Sequence, residues 1–183
     1  IQPKADNPKA PKVPNYYRDN FSNGLKIIGT KSSEVPKVYV RLKIEGGGLL
    51  VEKKLTGLAE LTADMMNEST SKYSSEEISV ELQKLGSTIS FSASEDATIM
   101  YIESLTKNID ATLVIAKEKL FNPAFNKEDF NRVKKQTLEG LEAMKKNAQY
   151  LGFSYFGNQL YGDSPFGRIT TEKTIKKIKL SDI

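Results

Sequence analysis

Neither cysteine nor histidine nor tryptophan occurs anywhere in the 183 residues. Without cysteine there is no disulfide, no thiolate nucleophile and no sulfur ligand for a metal. Without histidine there is no imidazole acid or base, no Ser-His triad and no imidazole ligand. What catalysis could still draw on is carboxylates, Lys, Tyr, Ser and Thr, which leaves a carboxylate site for a hard cation or a two-carboxylate hydrolase. A cysteine-free chain suits an oxidising or a reducing compartment, so the absence sets neither. Long apolar runs are missing too: no stretch approaches the ~20 residues of a membrane span, and the first residues do not have the pattern of a signal peptide.

Proline is scarce and unevenly placed. Four of the seven, Pro3, Pro8, Pro11 and Pro14, fall among Lys and Ala in residues 1–17, which read as a semi-extended linker with almost nothing to bury. The start at Ile1 rather than Met reads as a piece of a longer chain. With 38% hydrophobic and 27% charged residues, residues 18–183 are expected to fold as one globular domain. The net charge of +4 belongs to the ends. Residues 1–18 carry four basic side chains against one acidic, and residues 167–183 carry five against two, so the body between is slightly acidic. A basic stripe suited to phosphate backbones is not expected, and no nucleic-acid partner follows.

The periodicity becomes legible after Asn23-Gly24. Leu25, Ile27 and Ile28, then Val38, Val40, Leu42 and Ile44 alternating with Tyr39, Arg41 and Lys43, predict two antiparallel strands, each with one buried face. Gly46-Gly47-Gly48 ends the second as a close chain reversal; no Gly-Lys-Ser/Thr follows to make it a phosphate loop. Leu58, Leu61, Met65 and Met66 predict an amphipathic helix over 57–69 with Thr56 as its cap. Ser74 and Glu77 predict a capping box that opens a second helix, closed by Gly86. Residues 88–93 and 97–104 read as a hairpin, residues 108–121 as a helix ended by Asn122-Pro123, and a further helix starts near Asn126 and runs past Ala143. Leu61, Met65 and Leu82 are expected to be buried between helices and sheet. Tyr150, Phe153, Tyr155, Phe156 and Tyr161 sit at helical spacing without interleaved Lys or Arg, which predicts core packing rather than a stacking platform. The order predicts an α+β fold, an antiparallel sheet with helices packed on one face. The sequons at Asn20 and Asn67 are read as unused, and Lys176, Lys177 and Lys179 as a solvated face.

In this order and spacing four strings resemble the insulinase/pitrilysin zinc metallopeptidases, the inverzincins. SNGLKIIGT is similar to the family's opening strand and GGGLLVEKKLTGLAELTADMMNEST to its glycine loop and catalytic helix. FNPAFNKEDFNRVKKQTLEGLEAM is similar to the pair of later helices, and YGDSPFGRITTEKTIKKIKLSDI to the segment Tyr-Gly-x-His-Pro-Tyr-Gly with its short helix. The family's catalytic helix reads Gly-Leu-Ala-His-x-x-Glu-His, two zinc ligands one turn apart with the Glu activating the bound water. By this resemblance Glu60 and Asp64 stand at the His positions, Ala63 at the Glu, and Gly140, 76 residues after Asp64, at the third ligand. Glu139 points about 100° away from Gly140 around the helix and is no substitute in place.

The resemblance therefore implies the fold without the peptidase chemistry: no cofactor in this chain, and zinc only in the catalytic half of a parent protein. It implies the first domain of a noncatalytic second half, whose partners are a catalytic half, fused or separate, and the substrate peptide. Glu60 and Asp64 would line the substrate chamber. Their i, i+4 spacing also admits a weakly held hard cation, against the simpler reading of a solvated polar face. Two-half bacterial members of the family are the ground for expecting a periplasmic location. The alternative is a stand-alone binding or assembly module of the same fold.

Overall fold

The computed structural model describes residues 14–32 and 34–183, so most of the expected linker over 1–17 lies outside the described residues. The chain divides into two compact units, residues 1–36 and 37–183, each described by itself. In the first, β1 (Tyr16–Asn20) and β2 (Lys26–Thr30) pair antiparallel around Asn23-Gly24. Gly24 takes φ +88°, and the Leu25 N–H donates to Asn23 Oδ1 at 3.1 Å. The strand starts at Tyr16, so the last two residues of the stretch read as linker are in β1. The buried face expected for β2 is not found: Ile27 is half-buried and Ile28 exposed, since two strands have no second layer of their own.

The second unit is built on a three-stranded antiparallel sheet of order β3-β5-β4, with β3 (Lys37–Glu45), β4 (Thr88–Ala93) and β5 (Ala97–Leu105). One face presents Leu42, Ile89, Phe91, Met100 and Ile102 to the helices. The other carries Tyr39, Arg41, Ser90, Ser92 and Tyr101, with Lys37 bonded to Glu103 at 2.5 Å. Alternation in β3 holds, yet as an edge strand it is covered on one flank only, which leaves Val40 and Ile44 exposed where burial was expected. The glycine loop is explained by close approach. Gly47 lies against the β4–β5 turn, where any Cβ would overlap Ser94 O, and Gly46, Gly48 and Leu49 donate to Asp96, Ser94 and Glu95 carbonyls at 3.0, 3.0 and 2.8 Å.

Six helices follow in chain order: α1 (Leu58–Met66), α2 (Ser75–Leu85), α3 (Ile109–Phe121), α4 (Lys127–Met144), α5 (Ala148–Tyr161) and α6 (Glu172–Lys177). Ala63 of α1, Ile78 and Leu82 of α2 and Ala116 of α3 close over the sheet. On the far side of α1, Leu61 and Met65 pack with Phe130, Val133, Ile175 and Ile178 from α4 and the α6 region. Leu61 and Met65 are thus buried, but between helices rather than against the sheet. The Ser74–Glu77 capping box and the left-handed Gly86 (φ +59°) are in place. Thr56 does not cap α1. Gly57 holds that position at φ +101°, where a Cβ would lie 2.6 Å from Ile175 Cδ1, so the tight seat of α6 fixes the glycine and displaces the side-chain cap.

Helix α5 departs most from expectation. It has no buried residue, and Phe153, Tyr155, Phe156, Leu160 and Tyr161 are 52–69% exposed. Helical spacing identified an apolar face; it could not say whether this chain supplies the cover. No helix among the described residues is long and apolar enough to cross a membrane.

A polar knot ties the C-terminal end of α1 to α3 and α4. The Lys119 ammonium, 2% exposed, donates to Asn67 O at 2.8 Å and Glu68 O at 3.3 Å, where the α1 carbonyls have no helical partner. Arg132 bonds Glu68 through both amino groups at 3.2 and 2.5 Å and Asp129 at 2.8 Å; Asn126 caps α4 and also bonds Asp129 and Ser69. Burial pushes the Lys119 amine down from 10.5 to about 8, with Glu68 opposing. Between about pH 8 and 10.5 the unfolded chain therefore binds more protons here than the folded one, and this residue makes stability rise with pH. In urea melts taken stepwise through that window, wild type should gain on Lys119→Met by up to about 1.4 kcal/mol per pH unit. A difference that stays flat with pH contradicts the burial. Leu61→Ala should cost ~2 to 5 kcal/mol, as a large-to-small change in a filled site, and an unchanged melt refutes the assigned helix face.

Candidate functional site

The four positions singled out on α1 and α4 fall on either side of a cleft of about 360 Å³ lined by Asp64, Asn67, Glu68, Val133, Gln136 and Thr137. Glu60 lies one turn before Asp64 on α1, and Gly140 lies one turn after Gln136 on α4. The structure thus brings together the helices that the resemblance pairs, but the side chains have separate fates. Glu60 and Asp64 are both exposed. Partial desolvation, followed by the nearby charges of Glu60 and Glu68, holds the Asp64 carboxyl above its usual range. Glu68 is spoken for by Arg132.

Ala63 is 1% exposed and packs in the cluster with Ile78, Leu82, Phe91 and Met100, so the position of the family's water-activating carboxylate is a core position here. At Gly140 a Cβ would meet no heavy atom within 4 Å: the third-ligand position is open space with no side chain to fill it. Glu139 is exposed and paired with Lys135 at 3.7 Å, turned away from the cleft as helical geometry required. Among the described residues no three His, Cys, Asp or Glu side chains converge as a metal site. Two exposed carboxylates facing a glycine do not fit zinc, whose sites take three or four closely placed ligands. The arrangement offers a mildly acidic groove with neither a held metal nor a general base.

Sequence reasoning missed the knot of Lys119, Asn67, Asn126, Asp129 and Arg132 that holds α1 on α4. Asn126 ahead of Lys-Glu-Asp was a readable cap signal, and Asn126 does accept from the Asp129 N–H at 2.8 Å. Nothing in the spacing marks Lys119 as buried. Asn67 was read only as a sequon; its amide is occupied, donating to Phe91 O at 2.9 Å and Ala63 O at 3.2 Å.

Comparison with known proteins agrees with this geometry. Among curated relatives, the Non-peptidase homolog YmxG of Helicobacter pylori is 26% identical over 161 residues, 87% of this chain and 37% of its own length. The mitochondrial-processing peptidase subunit beta of rat is 22% identical over 89% of this chain and 34% of its own. Among solved structures, an inactive domain of peptidase M16 from Pseudomonas fluorescens superposes with a TM-score of 0.83 at 25% identity, covering 91% of this chain and 41% of that one. The periplasmic protease PqqL of Escherichia coli shares the fold, with a TM-score of 0.74 at 16% identity over 96% of this chain and 20% of that one. The chain spans well under half the length of these proteins. The sequence profile of Insulinase (Peptidase family M16) matches residues 26–174, and the chain belongs to that family.

Proposed function

We propose that this chain is a noncatalytic M16 domain that seats against a catalytic, zinc-bearing half and forms part of the wall of its substrate chamber. The observation that carries the reading is Ala63, 1% exposed beneath α1, which turns the position of the catalytic carboxylate into a piece of the core. A domain that had merely lost its metal would keep that position free for a polar group. The groove walled by Asp64, Gln136 and Thr137 then offers shape and mild negative charge to an extended peptide without cleaving it. Helix α5 supports the same reading. Its fourteen residues, AQYLGFSYFGNQLY, hold no charge, and Phe153, Phe156 and Leu160 repeat at i, i+3 and i+7 on the exposed side. An apolar stripe of this kind marks an interaction surface, and here its occupant is the catalytic half. The resemblance to YmxG, a non-peptidase homolog by name, keeps a second reading in view, a module that assembles with no peptidase at all.

Ala63→Glu should destabilise the fold by ~3 to 5 kcal/mol, the range for an unpaired buried charge, and so cannot restore a peptidase even with His at 60 and 64. A chain that tolerates it in a chemical melt would show that the position is still a site. The isolated chain should hydrolyse no unfolded protein or peptide; zinc-dependent, chelator-sensitive turnover overturns the noncatalytic assignment. Adding the chain to a His-x-x-Glu-His half encoded in the same or the neighbouring reading frame should change that half's turnover, and Phe153→Lys with Phe156→Lys should abolish the change. If turnover is the same with and without the wild-type chain, the assembly-module reading stands instead.

A further inference from the structure

Strand β4 lies at an outer edge of the sheet. Antiparallel alternation against β5 turns the N–H and C=O of every second residue, Ile89, Phe91 and Ala93, away from the sheet. Such a row is a template for another strand. At its centre the Asn67 carboxamide makes both bonds that a neighbouring strand would make. The Phe91 N–H donates to Asn67 Oδ1 at 2.7 Å, and Asn67 Nδ2 donates to Phe91 O at 2.9 Å.

The side chain is held for this contact. Asn67 is the C-cap of α1, its own N–H bonded to Asp64 O at 3.0 Å, its carbonyl taken by the buried Lys119 ammonium at 2.8 Å, and its Nδ2 shared with Ala63 O at 3.2 Å.

We propose that the outer edge of β4 is a strand-accepting surface that Asn67 keeps shut, and that the strand it would otherwise take is β4 of a second copy of this chain. The sequence of β4, TISFSA, is self-complementary for antiparallel pairing. A two-fold axis through Phe91 sets Phe91 against Phe91, Ser90 against Ser92 and Ile89 against Ala93, with no charge on either side to repel. Neutral, alternating and free of proline, the segment has the composition of strands that associate edge to edge. Closing the middle pair removes the bonds that fix the register and leaves too few neighbouring groups for a stable ladder.

The test is backbone amide hydrogen exchange together with light scattering on the whole chain. In wild type the Phe91 amide should be protected to the same degree as the inner-ladder amides of Ser90 and Ser92, and the chain should show no association through β4. Asn67→Ala should raise Phe91 exchange at least about tenfold at low concentration, leave the β5 amides protected, and give a dimer as concentration rises. Adding Ala93→Pro to Asn67→Ala removes an outward donor without an inner bond and should return the chain to monomer. A wild-type Phe91 amide that exchanges like a free edge overturns the proposal, and that measurement decides it even if Asn67→Ala does not fold. A folded Asn67→Ala chain that stays monomeric with Phe91 still protected overturns it as well.

Discussion

Helix α1 has to bury two opposite flanks in nine residues, and the rest of the second unit is arranged around that demand. Ala63 faces the sheet, and Leu61 and Met65 face α4 and α6, each about 1% exposed. The small alanine lets the helix lie close over Phe91 and Met100, and the glycine at 57 lets α6 close over its start. What is left of the helix surface is the ridge of Glu60, Asp64 and Glu68. Burial at this level contributes of order 1.5 to 3 kcal/mol per large side chain, so the helix cannot give up either flank without loss of the fold.

The polar knot completes the same constraint at the other end of α1. Unpaired carbonyls at a helix terminus need donors, and here they receive them from a lysine buried for that purpose at the cost of its own solvation. Glu68, Arg132 and Asp129 carry the tie across to α4. The groove between α1 and α4 is therefore rigid in its floor and walls, although nothing in it can hold zinc or activate water. A fixed groove without reactive groups is what a supporting wall requires, and it is the physical basis of the function proposed for this domain.

Much of the fold was legible because its signals are local. The hairpin of β4 and β5 follows from alternation around Glu95-Asp96, the start of α2 from Ser74 and Glu77, its end from Gly86, and the start of α4 from Asn126. The site was legible only by resemblance, through which Glu60, Ala63, Asp64 and Gly140 could be placed; composition alone excluded imidazole and thiolate chemistry. What failed was whatever depends on a neighbour distant in sequence. Spacing showed that α5 has apolar side chains, but whether Phe153 and Phe156 are covered is a property of the assembly. Thr56 looked like a cap until the packing of Ile175 reserved position 57 for glycine. The burial of Lys119 and the bonding of Asn67 across to Phe91 come from elements 24 to 52 residues away along the chain, which no window of local sequence contains.

The central claim is that this domain works by being covered along α5 by a catalytic partner. Amide hydrogen exchange across Ala148–Tyr161, measured with and without a His-x-x-Glu-His half of the family, tests it most directly. The account predicts that the outer residues of α5 gain protection on mixing while the exposed face of the sheet around Tyr39 and Ser90 does not. Equal exchange along α5 in both samples, under conditions where the two proteins associate, would contradict it.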